Sequence, residues 1–202
     1  MKPLIESLES RQLLSASLSL VTQDASVLHA NQQSLQADLS SLTKASDDAV
    51  KQLSADQHKK KGTGPHGASV IKKLSADEIG GLRKVHNDVI ALLTATISGS
   101  NKIIADIKQI LKSSTPALQT KLTNDIAALK TKTTALQTTL STDITTVETA
   151  VSNDLNGLAG FPALSTDANK AKTTFTTGLN TVMTDLTSLT TTITKIATDA
   201  SA

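Results

Sequence analysis

LQTKLTNDIAALKTKTTALQTTLSTDITTVETAVSNDLNGL, residues 118–158, sets its apolar side chains at Leu118, Leu122, Ile126, Leu129, Leu136, Leu140, Ile144, Val147, Val151, Leu155 and Leu158. Steps of three, four and seven are helical steps, because residues that far apart return to one side of a 3.6-residue turn. Counted in elevens, Leu118, Leu129, Leu140 and Val151 form one row, Ile144 and Leu155 a second, and Leu136, Val147 and Leu158 a third. Eleven residues make three turns, so the stripe keeps facing one partner with little supercoil or a slight right-handed one. Only Thr133 interrupts it. A helix of about 40 residues is roughly 60 Å long, and a stripe of that length needs partners of matching length.

The remaining segments read as those partners. A first helix is expected over residues 18–57, with Val21, Leu28, Leu35, Leu42 and Ala49 at heptad spacing and Ala25, Leu39 and Leu53 beside them. A loop over 58–69 follows, rich in Lys, His, Gly and Pro. A second helix over 70–111 carries Ile71, Leu82, Leu93 and Ile104 in elevens, with Leu74, Val85 and Ile107 as another row and Ser75 and Glu78 spaced as a capping box. Gly99, between Ile97 and Ile104, predicts a kink or weak point there. Thr115 and Pro116 have the chemistry of an N-cap and a first helical residue, and open the third helix, 116–158. Gly160 fits a left-handed cap, and Pro162 opens a fourth helix, 162–198, with Ala168, Phe175, Val182, Leu189 and Ile196 at sevens. Two of the three connections are short, which makes their helices antiparallel neighbours. The fold class expected is all-α: an elongated, coiled-coil-like, antiparallel four-helix bundle, up-down-up-down, over residues 18–202.

Composition agrees with a narrow core. The 202 residues include two Phe and no Trp, Tyr or Cys, so Leu, Ile, Val and Ala must supply the burial. A buried aliphatic side chain contributes about 1.5–3 kcal/mol, and a dozen per helix suffice without aromatic anchors. A net charge of +2 disfavours wholesale binding to nucleic acid or anionic membranes. No apolar run is long enough to span a membrane, and a chain without cysteine has neither disulfides nor thiolate metal sites.

Residues 1–17 have the look of an export segment. Leu8, Glu9, Arg11, Leu13 and Leu14, followed by Ser15 and Ala16, resemble the LEPR-XLL signature found near the start of large exported or surface proteins of planctomycete-type bacteria. Ser10 stands where that signature has Pro. The resemblance covers barely a dozen residues. It implies export to the cell envelope or beyond and carries nothing about the activity of the rest of the chain.

Chemistry-bearing motifs are sparse. Gly62, Gly64 and Gly67 have dinucleotide-loop spacing, but no strand precedes them and Pro65 removes an amide that would bind phosphate. His58, Lys59, Lys60, Lys61 and His66 form a cationic tip and a candidate contact for anionic envelope polymers. An Asp-aliphatic pattern recurs at Asp38, Asp88, Asp106, Asp125, Asp143, Asp154 and Asp185, read as solvated residues at the edge of the core. VKQLSADQ (50–57) and IKKLSADE (71–78) nearly duplicate each other. No spacing points to a catalytic, cofactor or metal site. The expectation is a non-enzymatic, exported structural or interaction bundle. Its partner is an unidentified protein or envelope polymer, and self-association is compatible with the helices. Two alternatives stand beside it: an amphipathic-helix protein of lipid surfaces, and an enzyme or metal protein whose site is assembled from distant residues.

Overall fold

A computed structural model describes residues 2–59 and 64–201, apart from the side chains of residues 2–10 and 59. Four helices account for nearly all of them: α1 (Lys2–Lys59), α2 (Gly64–Lys112), α3 (Pro116–Ala159) and α4 (Ser165–Asp199). No strand occurs among the described residues. The chain is an antiparallel four-helix bundle whose helices contribute to two compact units. Unit 1 takes Met1–Ser34, Ile90–Gln137 and Leu186–Ala202, and unit 2 takes Leu35–Val89 and Thr138–Asp185. Each unit holds one segment of every helix.

Most of the stripe positions read from sequence lie in the core, whereas Ala25, Ala49, Ile104 and Leu136 are half-buried. On α4, Ala168, Phe175, Val182, Leu189 and Ile196 are all buried, with Leu164, Ala171, Leu186 and Ile193 beside them. In the unit 2 part of α3, Leu140, Ile144, Val147, Val151, Leu155 and Leu158 are buried without exception. In unit 1 the stripe of α3 is less fully covered, since Leu118 and Ile126 are half-buried. Thr133, the gap in the stripe, is itself buried, and its hydroxyl donates to the Leu129 carbonyl at 2.8 Å. The same i−4 bond recurs at Thr142, Thr145, Thr146 and Thr149 on α3 and at Thr190, Thr194 and Thr198 on α4. Each of these hydroxyls is satisfied within its own helix, while the helix itself is held by burial of its apolar face.

Several expected boundaries shift. No break separates residues 2–17 from the rest of α1, which is continuous, and Ser17 is already buried. Of the loop expected over 58–69, residues 58–59 belong to α1 and residues 64–69 to α2, which starts at Gly64, whose φ of 55° only glycine adopts freely. Pro65 is tolerated in that first turn, where its missing N–H has no helical partner to lose. Ser75 and Glu78 therefore lie deep inside α2 and form no capping box. Thr115 does cap α3, accepting from the Leu118 N–H through Oγ1 at 3.3 Å and through its carbonyl at 3.1 Å. Gly160 has no left-handed backbone, and Pro162 lies in the turn before α4. That turn is closed by Phe161, whose carbonyl accepts from Leu164 and Ser165 at 2.9 Å.

Glycine also serves close approach between helices. α2 stays helical through Gly80, Gly81 and Gly99, with Ile97 45 % exposed and Ile103 taking the buried place near it. A Cβ on Gly99 would lie 2.5 Å from Leu129 Cδ1, and one on Gly178 would lie 2.6 Å from Leu42 Cδ1. A Cβ on Gly81 would overlap Val147, reaching within 2.6 Å of its Cβ. These glycines are places where a facing helix seats an aliphatic side chain against backbone.

Candidate functional site

Most of the buried charge in this protein follows one pattern. A lysine reaches across a helix interface to a buried aspartate and also lies four residues before an aspartate on its own helix. In unit 2, Lys73 Nζ donates to Asp154 at 2.7 Å and to Asp77 at 2.8 Å. Lys84 donates to Asp143 at 2.5 Å, with Asp88 one turn further along. In unit 1, Lys121 joins Asp106 at 2.5 Å and Asp125 at 2.9 Å. Lys195 joins Asp24 at 2.5 Å and Asp199 at 3.5 Å. Lysine, an aliphatic residue, two further residues and aspartate recur each time: KLSAD, KVHND, KLTND and KIATD. The aliphatic residue of each, Leu74, Val85, Leu122 and Ile196, is buried in the core.

Spacing explains why the clasps align in unit 2. Lys73 and Lys84 are eleven residues apart on α2, as are Asp154 and Asp143 on α3, so each three-turn step brings a fresh pair to the same interface. The aspartates are thus buried or half-buried, which corrects the reading of them as solvated edge residues. Electrostatics follow the geometry. Asp154, Asp143, Asp106 and Asp24 respectively push the Lys73, Lys84, Lys121 and Lys195 ammonium groups above the ordinary lysine range. Asp88 and Asp143 hydrogen-bond each other, which holds Asp143 low and pushes Asp88 up. Asp125 is held low by Lys121 and then by Asp106. The duplicated VKQLSADQ and IKKLSADE also become intelligible, because Gln52 donates to Asp56 at 2.9 Å just as Lys73 donates to Asp77.

Glu78 departs from this pattern. It is 2 % exposed, hydrogen-bonds Ser46 of α1, and has an Oε1 with no donor. Burial pushes its carboxyl up to about 7, against the smaller lowering effect of Ser46, while Asp47 raises it further. Glu78 lines a groove of about 650 Å³ between α1 and α2 of unit 2, with Lys44, Asp47, Arg83 and His86 among its walls. A perturbed carboxyl in a concave site is the combination that marks candidate functional positions. Sequence spacing carried a trace of it, since Glu78 lies four residues from both Leu74 and Leu82 on the apolar stripe.

The residues singled out from sequence are dispersed. Of the export signature, Arg11 is exposed, Leu13 is 61 % exposed and Leu14 is half-buried, while the side chains of Leu8 and Glu9 lie outside the described residues. Leu13 and Leu14 border a cleft of about 480 Å³ with Ile110 and Leu122 in unit 1. His58 is exposed at the end of α1, beside Lys59, whose side chain is outside the described residues, as are Lys60 and Lys61 entirely. His66 is exposed in the first turn of α2, its ring 6.0 Å from that of Phe161. No group of three or more His, Asp or Glu converges as a metal site among the described residues, and no helix there is long and apolar enough to cross a membrane. Comparison with protein families, curated proteins and solved structures finds no match.

Proposed function

We propose that this chain is a non-enzymatic structural or protein-interaction bundle of the cell envelope, exported by way of its N-terminal segment. The observation that carries the reading is the use made of buried charge. The lysine–aspartate clasps bind α1 to α4 and α2 to α3, so these buried carboxylates serve to hold helices in register. Each clasp joins a buried carboxylate to a lysine that is itself 51–64 % exposed, so solvent screens the pair and its net contribution to stability is small beside apolar packing; fixing register is the use that suits it. Such a design suits a part whose task is to present fixed surfaces. Export is supported by the match of Leu8, Glu9, Arg11, Leu13 and Leu14 to the LEPR-XLL signature, with Arg11 and Leu13 accessible on α1. The partner in this reading is a protein or an anionic envelope polymer, the latter met by the cationic tip from His58 to His66.

A reporter fused after Val21 and expressed in a planctomycete-type host tests the destination. Recovery in the envelope or medium, abolished by changing Arg11, Leu13 and Leu14 together, is the expected result; cytoplasmic retention of the unaltered fusion removes the claim. A second reading, association with lipid surfaces, is favoured by Leu13, Leu20 and Val27, which lie seven apart on α1 and are 61, 42 and 46 % exposed. Flotation with anionic liposomes, lost on replacing the three by Ser, distinguishes it.

A further inference from the structure

Glu78 occupies a core position. Leu74 and Leu82, one turn to either side of it on α2, are buried, and Ser46, its hydrogen-bonding neighbour on α1, is buried too. The buried aspartates of the clasps each have a lysine at 2.5–2.7 Å, and Glu78 has Ser46. A neutral carboxyl fits such a place, since it bears no charge and can both donate and accept. A carboxylate does not, because one hydroxyl cannot satisfy two charged oxygens away from water.

The surroundings offer the ionised form a way out. On α1, Asp47 repels it, while Lys44, Asp48 and Lys51 line the adjoining groove, Lys51 and Asp48 being 3.7 Å apart. On α2 itself, Arg83 and His86 stand on the same groove. On α3, the segment around Val147, which meets Gly81, carries Glu148 as its nearest ionisable residue. α4 has no ionisable residue between Lys172 and Asp185. Positive charge within reach therefore comes from Lys44, Lys51 and Arg83 of the groove, where Asp47 and Asp48 also stand. Gly80, two residues on, is a weak helix former with nothing packed within 4 Å of where its Cβ would be, so helix propensity and packing hold the backbone there least firmly.

We propose that Glu78 makes the α1–α2 seam of unit 2 a proton-operated joint, closed around the neutral carboxyl and loosened when the carboxylate turns toward Lys44 and Arg83 of the groove. Protons are the ligand: they bind the closed state more tightly and shift the population toward it. With the carboxyl pushed up to about 7, the joint works near neutrality. The span from the ordinary value of 4.5 sets the ceiling, about 300-fold between the two protonation states.

Amide hydrogen exchange of the intact protein, followed by mass spectrometry and corrected for the intrinsic effect of pH on exchange, tests this. From about pH 5 to about pH 8, peptides around Ser46 and Glu78 should lose tenfold or more of their protection, with a midpoint near 7, while peptides around Asp106 and Lys121 in unit 1 do not. Glu78→Gln should remove the response. A wild-type protein with flat protection, or a Glu78→Gln protein that responds like wild type, overturns the joint. If that variant fails to fold, the carbon-13 titration of the Glu78 carboxyl in wild type decides the matter. A midpoint near 7 coinciding with the exchange change supports the joint, and one in the ordinary carboxylate range overturns it.

Discussion

Adjacent glycines on α2 should respond in opposite directions to the same substitution. Alanine in place of glycine in a helix interior gains about 1 kcal/mol, from backbone entropy and helix propensity. Gly80 has nothing within 4 Å of where its Cβ would be, so Gly80→Ala should realise most of that gain. At Gly81 the added carbon would come within 2.6 Å of Val147 Cβ, whereas carbon atoms in contact prefer about 3.5–4.0 Å. Val147 is branched at that atom and buried, so it cannot swing clear, and α2 and α3 must separate locally by about an ångström. Overpacking of this kind costs about 1–3 kcal/mol. Net of the propensity gain, Gly81→Ala should range from neutral to about 2 kcal/mol destabilising, leaving roughly 1–3 kcal/mol between the two variants. Urea unfolding followed by circular dichroism measures it, provided that the slopes agree and only the midpoints move. In a Val147→Gly background, where no Cβ remains to be met and the Cα lies 3.6 Å away, the penalty of Gly81→Ala relative to Gly80→Ala should disappear, which identifies the cause as the contact itself. A Gly81→Ala protein as stable as Gly80→Ala would refute the claim that this glycine exists for close approach.

Other outcomes follow from the same packing. Leu140→Asp inserts a charge at a fully buried stripe position and should cost several kcal/mol, while Thr139→Asp, one residue away on the exposed face, should shift the melting midpoint little. Lys84→Met leaves Asp143 buried without its ammonium partner and should lower the melting temperature, whereas Lys84→Met combined with Asp143→Leu should recover much of the loss. Stability should fall on both sides of a mildly acidic optimum. Asp125 and Asp143, held low, stabilise the fold above the ordinary carboxylate range and lose that contribution as acid protonates them. Glu78, pushed up, stabilises most below 4.5 and loses its contribution as pH rises through about 7, a loss of at most about 3 kcal/mol. Glu78→Gln should flatten the alkaline limb alone, as read by denaturation midpoints between about pH 4 and pH 8.

Periodicity exposed the helices and their inner faces, because burying one side of a helix leaves a mark every three or four residues; Phe175, Val182 and Leu189 are buried where the heptads put them. Boundaries were less legible. Gly64, Pro65 and Gly67 have the composition of a loop, yet glycine at positive φ and proline in a first turn also begin a helix, and packing of α2 decides between the two. The clasps were hidden for another reason. Lysine four residues before aspartate is an ordinary pairing on any solvated helix, and only the register of the facing helix shows that Asp106, Asp143 and Asp154 are buried. The close approach at Gly99 was hidden for the same reason, since the side chain it admits, Leu129, belongs to α3. Glu78, by contrast, lay on the apolar stripe, where a carboxylate is conspicuous.

Register is the central claim, and zero-length carbodiimide crosslinking reads it directly, since it joins only amines and carboxylates already in contact. Mass spectrometry of the intact monomer treated at low reagent should yield Lys73–Asp154 and Lys84–Asp143 from unit 2, with Lys121–Asp106 and Lys195–Asp24 from unit 1. Those four bonds within one chain are the predicted result. Links displaced by one eleven-residue step, such as Lys84 to Asp154 or Lys73 to Asp143, would contradict it, because the helices would then be paired in a different register.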